Sequence, residues 1–253
     1  MPERPAVGLG RCLVRVLSKL APTSHGLLSN LGLRSTAKRI LDVSLAIVAI
    51  VVTSPIMLCV ALLVAARRDG PVIFRQQRVG LHGRHFTIYK FRTMLHRRPC
   101  GVDQVREMVV TTASDARITP LGRILRATSL DELPQLFNVL NGTMSLVGPR
   151  PVIPEQMMAI TIRHGRRFLV RPGITGWAQV NGRRGLDWLK QLELDTWYVD
   201  HQSIWLDIKI LVKTIVVVFR GAGLYGSAES NWRTHVAVHG PQHSDAEVDV
   251  HHE

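Results

Sequence analysis

The sequence predicts an α+β protein, mainly helical with a small β-hairpin, carrying an N-terminal re-entrant membrane helix-break-helix and interfacial helices. Three observations predict it. An uncharged apolar run from Val43 to Ala66 is interrupted at its centre by Ser54-Pro55. Two short β-rich stretches follow, "PVIFRQQRVG" and "RHFTIYKFRTM", separated by the turn signal "LHG". Beyond about Asp103 the chain reads mostly as helix between Gly- and Pro-containing loops. The divisions that follow are a basic N-terminal arm at 1–37, the re-entrant helix at 38–70, a cytosolic domain at 71–226 and a disordered, His-rich tail at 227–253.

Taken in order, the arm contains "RCLVRVLSKL", whose apolar and basic residues alternate. It suits a membrane surface or a weakly ordered arm, and without an unbroken apolar core it is not a cleavable signal. The apolar run is 24 residues long. As one straight helix it would measure about 36 Å, enough to cross a hydrocarbon core of about 30 Å. Pro55 opposes that reading, because proline lacks a backbone donor and crowds the preceding turn. Flanking charge opposes it too: Lys38 and Arg39 precede the run, and Arg67 and Arg68 follow it. Basic flanks remain cytoplasmic, so a bent, re-entrant helix keeps both pairs on one side where a spanning helix separates them. Ser54 is placed to bond a carbonyl that the proline frees.

The β-rich stretches form the hairpin. Lys90 and Arg92 share one face of its second strand; they suit either a phosphate or a solvated strand edge. Further on, "VGPRP" places Arg150 between two prolines, a stiff mount for a cation that meets a phosphate or carboxylate. Near the end, Ile208, Leu211, Val212, Ile215, Val216 and Phe219 recur at helical spacing, interspersed with charge. That helix belongs either in a core or in a membrane interface.

Composition narrows the function. Lys and Arg number 32 against 19 Asp and Glu, for a net charge of +13. This favours a polyanionic partner: nucleic acid, anionic membrane or phosphorylated substrate. No nucleic-acid recognition motif is present, and neither GxGxxG nor a Walker loop occurs. Three dispersed cysteines imply neither disulfides nor zinc, and the histidines lack metal-site spacing.

The carboxylates Asp131 and Glu132, in "TSLDELPQLFNVLNG", are the acidic residues between Asp115 and Glu155. Ser129 to Glu132 fits a capping box, but Pro134 would then fall deep in the helix. Asp131 as the cap puts Pro134 in the tolerated first turn. A glycosidase pair is disfavoured, since adjacent helical residues diverge by about 100°. Two neighbouring carboxylates at a helix start suit one phosphate–metal centre, and an ionised Asp is a competent nucleophile at phosphorus. Residue pattern alone leaves capping and catalysis open.

At this point the chain resembles a known family, the bacterial sugar transferases called monotopic phosphoglycosyl transferases or polyprenyl-phosphate glycosylphosphotransferases. The resemblance rests on "KRILDV" with Ser54-Pro55, "VIFRQQRVG", "YKFRTM", "ITPLGRILRATSLDELPQLFNVLNGTMSLVGPRP", "RPGITGWAQVNGR" and "WYVDHQSIWLDIKILVKT", in order from about Lys38 to Gly226. It implies an enzyme of the bacterial inner membrane with its catalytic domain on the cytoplasmic face. It implies transfer of a sugar 1-phosphate from a nucleoside diphosphate sugar, expected to be a UDP-sugar, to undecaprenyl phosphate, with Mg²⁺. By that resemblance Asp131 is the nucleophile of a covalent phosphosugar intermediate, and Glu132, with Asp131, holds the metal. Arg126 and Arg150 are the phosphate-binding arginines, joined by Lys90 and Arg92 from the strand reading. Membrane lipids are expected partners, nucleic acid is not, and a homo-oligomer is left open. Priming of exopolysaccharide or glycoconjugate synthesis would be the role; a catalytically silent scaffold is the competing one. Gln77, Thr143 and Pro120 depart from the family's usual Glu, Asp and basic residue; none removes the dyad, and the resemblance therefore implies the activity without naming the sugar. Larger members carry further N-terminal membrane helices, and the chain is expected to be the catalytic unit with a short arm.

Overall fold

The computed structural model describes residues 25–95, 115–161, 163–182, 185–220 and 232–240. Most of them are helical. Helix α1, His25–Ala66, runs continuously through Pro55. The expected break is therefore not a gap in helical structure. A proline at 55 cannot donate to the Val51 carbonyl, and the Ser54 hydroxyl donates to it instead at 2.8 Å. One turn earlier, Thr53 Oγ1 donates to the Ala49 carbonyl at 2.7 Å. The Ser54 bond satisfies the one carbonyl that Pro55 leaves without its helical donor, and the Thr53 bond is an ordinary back-bond to the preceding turn. The position expected as a boundary, 37/38, lies within this helix.

One stripe of α1 is core. Asp42, Ala46, Val60 and Val64 are buried, at spacings that keep them on one face. The opposite face, including Val48, Val51, Val52, Leu58 and Leu62, is apolar and exposed. Ser35–Ala66 is the one described helix long and apolar enough to cross a membrane.

The hairpin forms as the sequence predicts. Strands β1 (Ile73–Val79) and β2 (His85–Phe91) pair antiparallel, with Ile73 opposite Phe91 and Val79 opposite His85. The turn between them puts His82 and Gly83 at positive φ, 54° and 71°. Phe86 and Ile88 face the core, and Lys90 continues the same side of the strand.

Helix α2, Pro120–Ala127, starts on a cap: Thr119 Oγ1 accepts from the Gly122 amide at 2.9 Å, with Pro120 in the first turn. Gly122 is required there, since a Cβ would lie 2.0 Å from the Thr93 carbonyl oxygen. A 3₁₀ turn, Leu130–Glu132, leads into α3, Gln135–Leu140. Strands β3 (Ser145–Val147) and β4 (Gly173–Thr175) form a parallel pair. Between them run two 3₁₀ segments, Pro154–Ala159 and Arg163–Leu169. Helices α4 (Trp177–Val180), α5 (Trp188–His201) and α6 (Ile204–Arg220) complete the body.

On α6 the buried side is Asp207 and Ile210, while Trp205, Ile208, Val212, Ile215 and Val216 are exposed. The apolar series read from the sequence is thus mostly an exposed outer face and not core. The tail beyond 226 is not without structure throughout: α7, Trp232–His239, buries Trp232 beside Trp188, Leu192 and Phe168. A tryptophan of that size repays ordering of a short helix where polar, acidic sequence alone suggested none. His243, His251 and His252, and the arm up to residue 24, lie outside the described residues.

Candidate active site

The two carboxylates sit on the 3₁₀ turn between α2 and α3. Ser129, at φ 59°, turns the chain sharply after α2 and makes no side-chain cap bond. Neither predicted cap forms. Asp131 lies inside the turn, and α3 begins at Gln135 with Pro134 in the cap position. At a helix start the donor that proline lacks would be unpaired anyway, so Pro134 costs no hydrogen bond there; the helix begins beyond the carboxylates.

Glu132 Oε1 accepts from Lys90 Nζ at 2.5 Å and from Arg150 Nη2 at 3.0 Å. Burial alone would raise the Glu132 carboxyl; Lys90 and then Arg150 overcome it and hold the group well below the usual carboxylate range. The Lys90 ammonium is pushed down by burial despite this partner. Asp131 is also buried, at 8 % exposure. Among the described residues none donates a hydrogen bond to its side chain. Burial raises it to about 6, Lys90 pulling it down and the Glu132 charge adding to the rise.

Arg126 stands in the last turn of α2. Its Nε donates to Thr93 Oγ1 at 2.9 Å, its Nη1 is buried with no partner, and its charge helps hold Asp131 down. Of the predicted residues, Lys90, Arg126 and Arg150 thus gather round Asp131 and Glu132. Arg92 does not. It lies just past the end of β2, and its Nη2 is engaged by Asp69 Oδ1 at 2.5 Å and by the Val64 carbonyl at 3.2 Å. It ties the end of α1 to the hairpin, away from the carboxylates. Ser54 and Pro55 lie on α1, in the apolar run, and are not part of this cluster.

Sequence reasoning missed Thr93, which positions Arg126, and Gln135, buried with its Nε2 unpartnered. It also missed Arg78 and Arg167, which hold the Arg150 turn. Only "KFRTM" and "DELPQ" carried any signal for the first two, as neighbours of singled-out residues.

No group of three or more His, Cys, Asp or Glu side chains able to hold a metal occurs among the described residues. A protein-only cage is thus absent from them. The donor set fits Mg²⁺ in another way. That ion takes one or two carboxylates and completes its shell with substrate phosphates and water. Asp131, and the Glu132 oxygen that Lys90 and Arg150 leave free, supply such carboxylates.

The structure thus sets a long apolar helix on a small domain in which two adjacent carboxylates lie among Lys90, Arg126 and Arg150. The sequence model described as "Bacterial sugar transferase" matches residues 33–221, and the chain belongs to that family, as a polyprenyl-phosphate glycosylphosphotransferase. It is 46 % identical over 187 residues to the uncharacterized sugar transferase EpsL of Bacillus subtilis (strain 168), covering 74 % of this chain and 89 % of that one. It is 39 % identical over 212 residues to the undecaprenyl-phosphate galactose phosphotransferase of Salmonella typhimurium, covering 78 % of this chain and 44 % of that one. Against the UDP-glucose:undecaprenyl-phosphate glucose-1-phosphate transferase of Escherichia coli (strain K12) it is 41 % identical over 202 residues, covering 77 % and 42 %. The chain therefore spans most of EpsL and under half the length of the other two.

Proposed function

We propose that this protein is a phosphoglycosyl transferase that moves a sugar 1-phosphate from a nucleoside diphosphate sugar, a UDP-sugar by analogy with its relatives, to undecaprenyl phosphate. The observation that carries the reading is Asp131: a buried carboxylate, free of donors, flanked by Lys90, Arg126, Arg150 and a firmly ionised Glu132. In the first half-reaction an Asp131 carboxylate oxygen attacks the phosphorus that bears the sugar. The bond from that phosphorus to the bridging oxygen breaks, and the nucleoside monophosphate leaves with the electron pair. In the second, an oxygen of undecaprenyl phosphate attacks the same phosphorus and releases the Asp131 carboxylate. The products are an undecaprenyl diphosphate sugar and a nucleoside monophosphate.

The buried Nη1 of Arg126 and the side chain of Arg150 offer donors to the phosphate oxygens, where charge grows in the transition state. Lys90 holds Glu132 in place. Asp131 and Glu132 are the residues that would hold Mg²⁺, which supplies charge neutralisation on the transferring phosphate when bound.

The reading includes a re-entrant α1 at the cytoplasmic face of the inner membrane. Support comes from both ends of the apolar run, which are tied to one polar body. Before it, Lys38 Nζ meets Asp207 Oδ2 at 2.7 Å and Arg39 donates to the Val139 carbonyl at 2.7 Å. After it, Asp69 pairs with Arg92. A helix crossing the bilayer would leave those ends on opposite sides. Priming of an exopolysaccharide or glycoconjugate is the role we assign.

The test is release of nucleoside monophosphate by the full chain in detergent, given Mg²⁺, undecaprenyl phosphate and a panel of nucleoside diphosphate sugars. Asp131→Asn should lose at least about 1,000-fold. Mass spectrometry should find the phosphosugar adduct on the wild type and not on the variant. No release with any sugar, or full turnover by Asp131→Asn, overturns the assignment.

A further inference from the structure

Arg150 stands on a turn whose carbonyls are all held. The Pro149 oxygen accepts from the Gly173 amide at 2.9 Å, and the Val152 oxygen from the Val79 amide at 2.8 Å. Between them, the Pro151 oxygen accepts from Arg78 Nη1 at 3.1 Å and the Arg150 oxygen from Arg167 Nη2 at 2.6 Å. The last two clamps are side chains, and one is costly. Arg167 and Asp195 form an ion pair at 2.8 Å with both side chains 3 % exposed. Burial pushes the Arg167 guanidinium down and the Asp195 carboxyl up to about 6. Asp195 Oδ1 has no hydrogen-bond partner.

Such a pair is no better for stability than apolar residues of similar size, and often worse. Its presence calls for something apolar residues cannot do. Arg167 Nη2 bonds outward to the Arg150 backbone while paired with Asp195, and the Asp195 charge reinforces the Arg150 guanidinium.

We propose that Arg167 and Asp195 are positioning residues: the buried pair fixes the backbone of Arg150, so that its guanidinium meets both Glu132 and the substrate phosphate without a search. The proposal rests on the reading of Arg150 given above. A phosphate-binding group misplaced by an ångström loses much of its contribution to the barrier; the pair prevents that displacement from behind.

The test replaces the whole pair, Arg167→Met with Asp195→Leu, in the full chain in detergent. The melting temperature should hold or rise, while kcat/KM for the nucleoside diphosphate sugar falls on the order of 10-fold. In an Arg150→Ala background the same double change should cost less than about 2-fold, because nothing is left to position. Equal losses in the two backgrounds, or no loss in the wild type, overturn the proposal while leaving the Arg150 reading intact. Undiminished activity of Arg150→Ala alone overturns that reading instead. Should the double change fail to fold, Asp195→Asn carries the same cycle with the same criteria.

Discussion

At the scale of the residue, the site works by unequal treatment of neighbours. Glu132 is clamped by two cations and Asp131 by none, so one is held in its ionised form and the other left available. Removing Lys90 should therefore act through Glu132. Lys90→Met should lower turnover on the order of 100-fold, with the protein still folded by circular dichroism. Asp195 carries a pH signature. Its carboxyl rises from 3.8 to about 6 on folding, so between those values the folded chain binds the extra proton. The stability this group contributes is full below about pH 4 and is lost as pH rises through about 6. The melting temperature of Asp195→Asn minus that of the wild type should accordingly grow from pH 4 to pH 7. A flat difference would mean that Asp195 is not proton-linked to folding.

At the scale of the element, close approach decides what can change. Gly122 lets α2 lie against the end of β2, and Gly122→Ala should cost roughly 3 kcal/mol or more, read as loss of the folded fraction in urea. Ser54→Ala should cost only about 1 kcal/mol, the value of one satisfied carbonyl. Elements were also where sequence served best. Period-two alternation with "LHG" placed the hairpin, and the proline predicted its own repair by Ser54. The departures at Gln77, Pro120 and Thr143 turn out to be local fits: a cross-strand bond to Thr87, a first-turn proline, and a turn bonded to Asn141. What stayed hidden was the partner of each charge. Lys90 and Arg92 look alike on a strand, and only the approach of Glu132 to one and Asp69 to the other separates them. The caps misled for a related reason, since Leu130–Glu132 forms a separate 3₁₀ turn and the helix starts only at Gln135.

At the scale of the whole molecule, α1 and α6 present exposed apolar faces from a strongly basic chain. Charging one of them, with Val212→Glu and Val216→Glu, should release a large share of the protein from anionic vesicles in a flotation assay while stability in detergent changes little. Topology is testable in cells. With the native cysteines replaced, Ser35→Cys and Arg67→Cys should both be shielded from an impermeant thiol reagent outside the cell; labelling of one alone restores the spanning helix. Finally, Ala46, Val60 and Val64 belong as much to the domain's interior as to α1. A chain beginning at Asp69 would lack three core side chains, the Val64 carbonyl that receives Arg92, and the Lys38 partner of Asp207. The anchor is therefore not a detachable tether. Trimming α1 to obtain a shorter form should yield aggregates, read as loss of the monomer peak in size-exclusion chromatography.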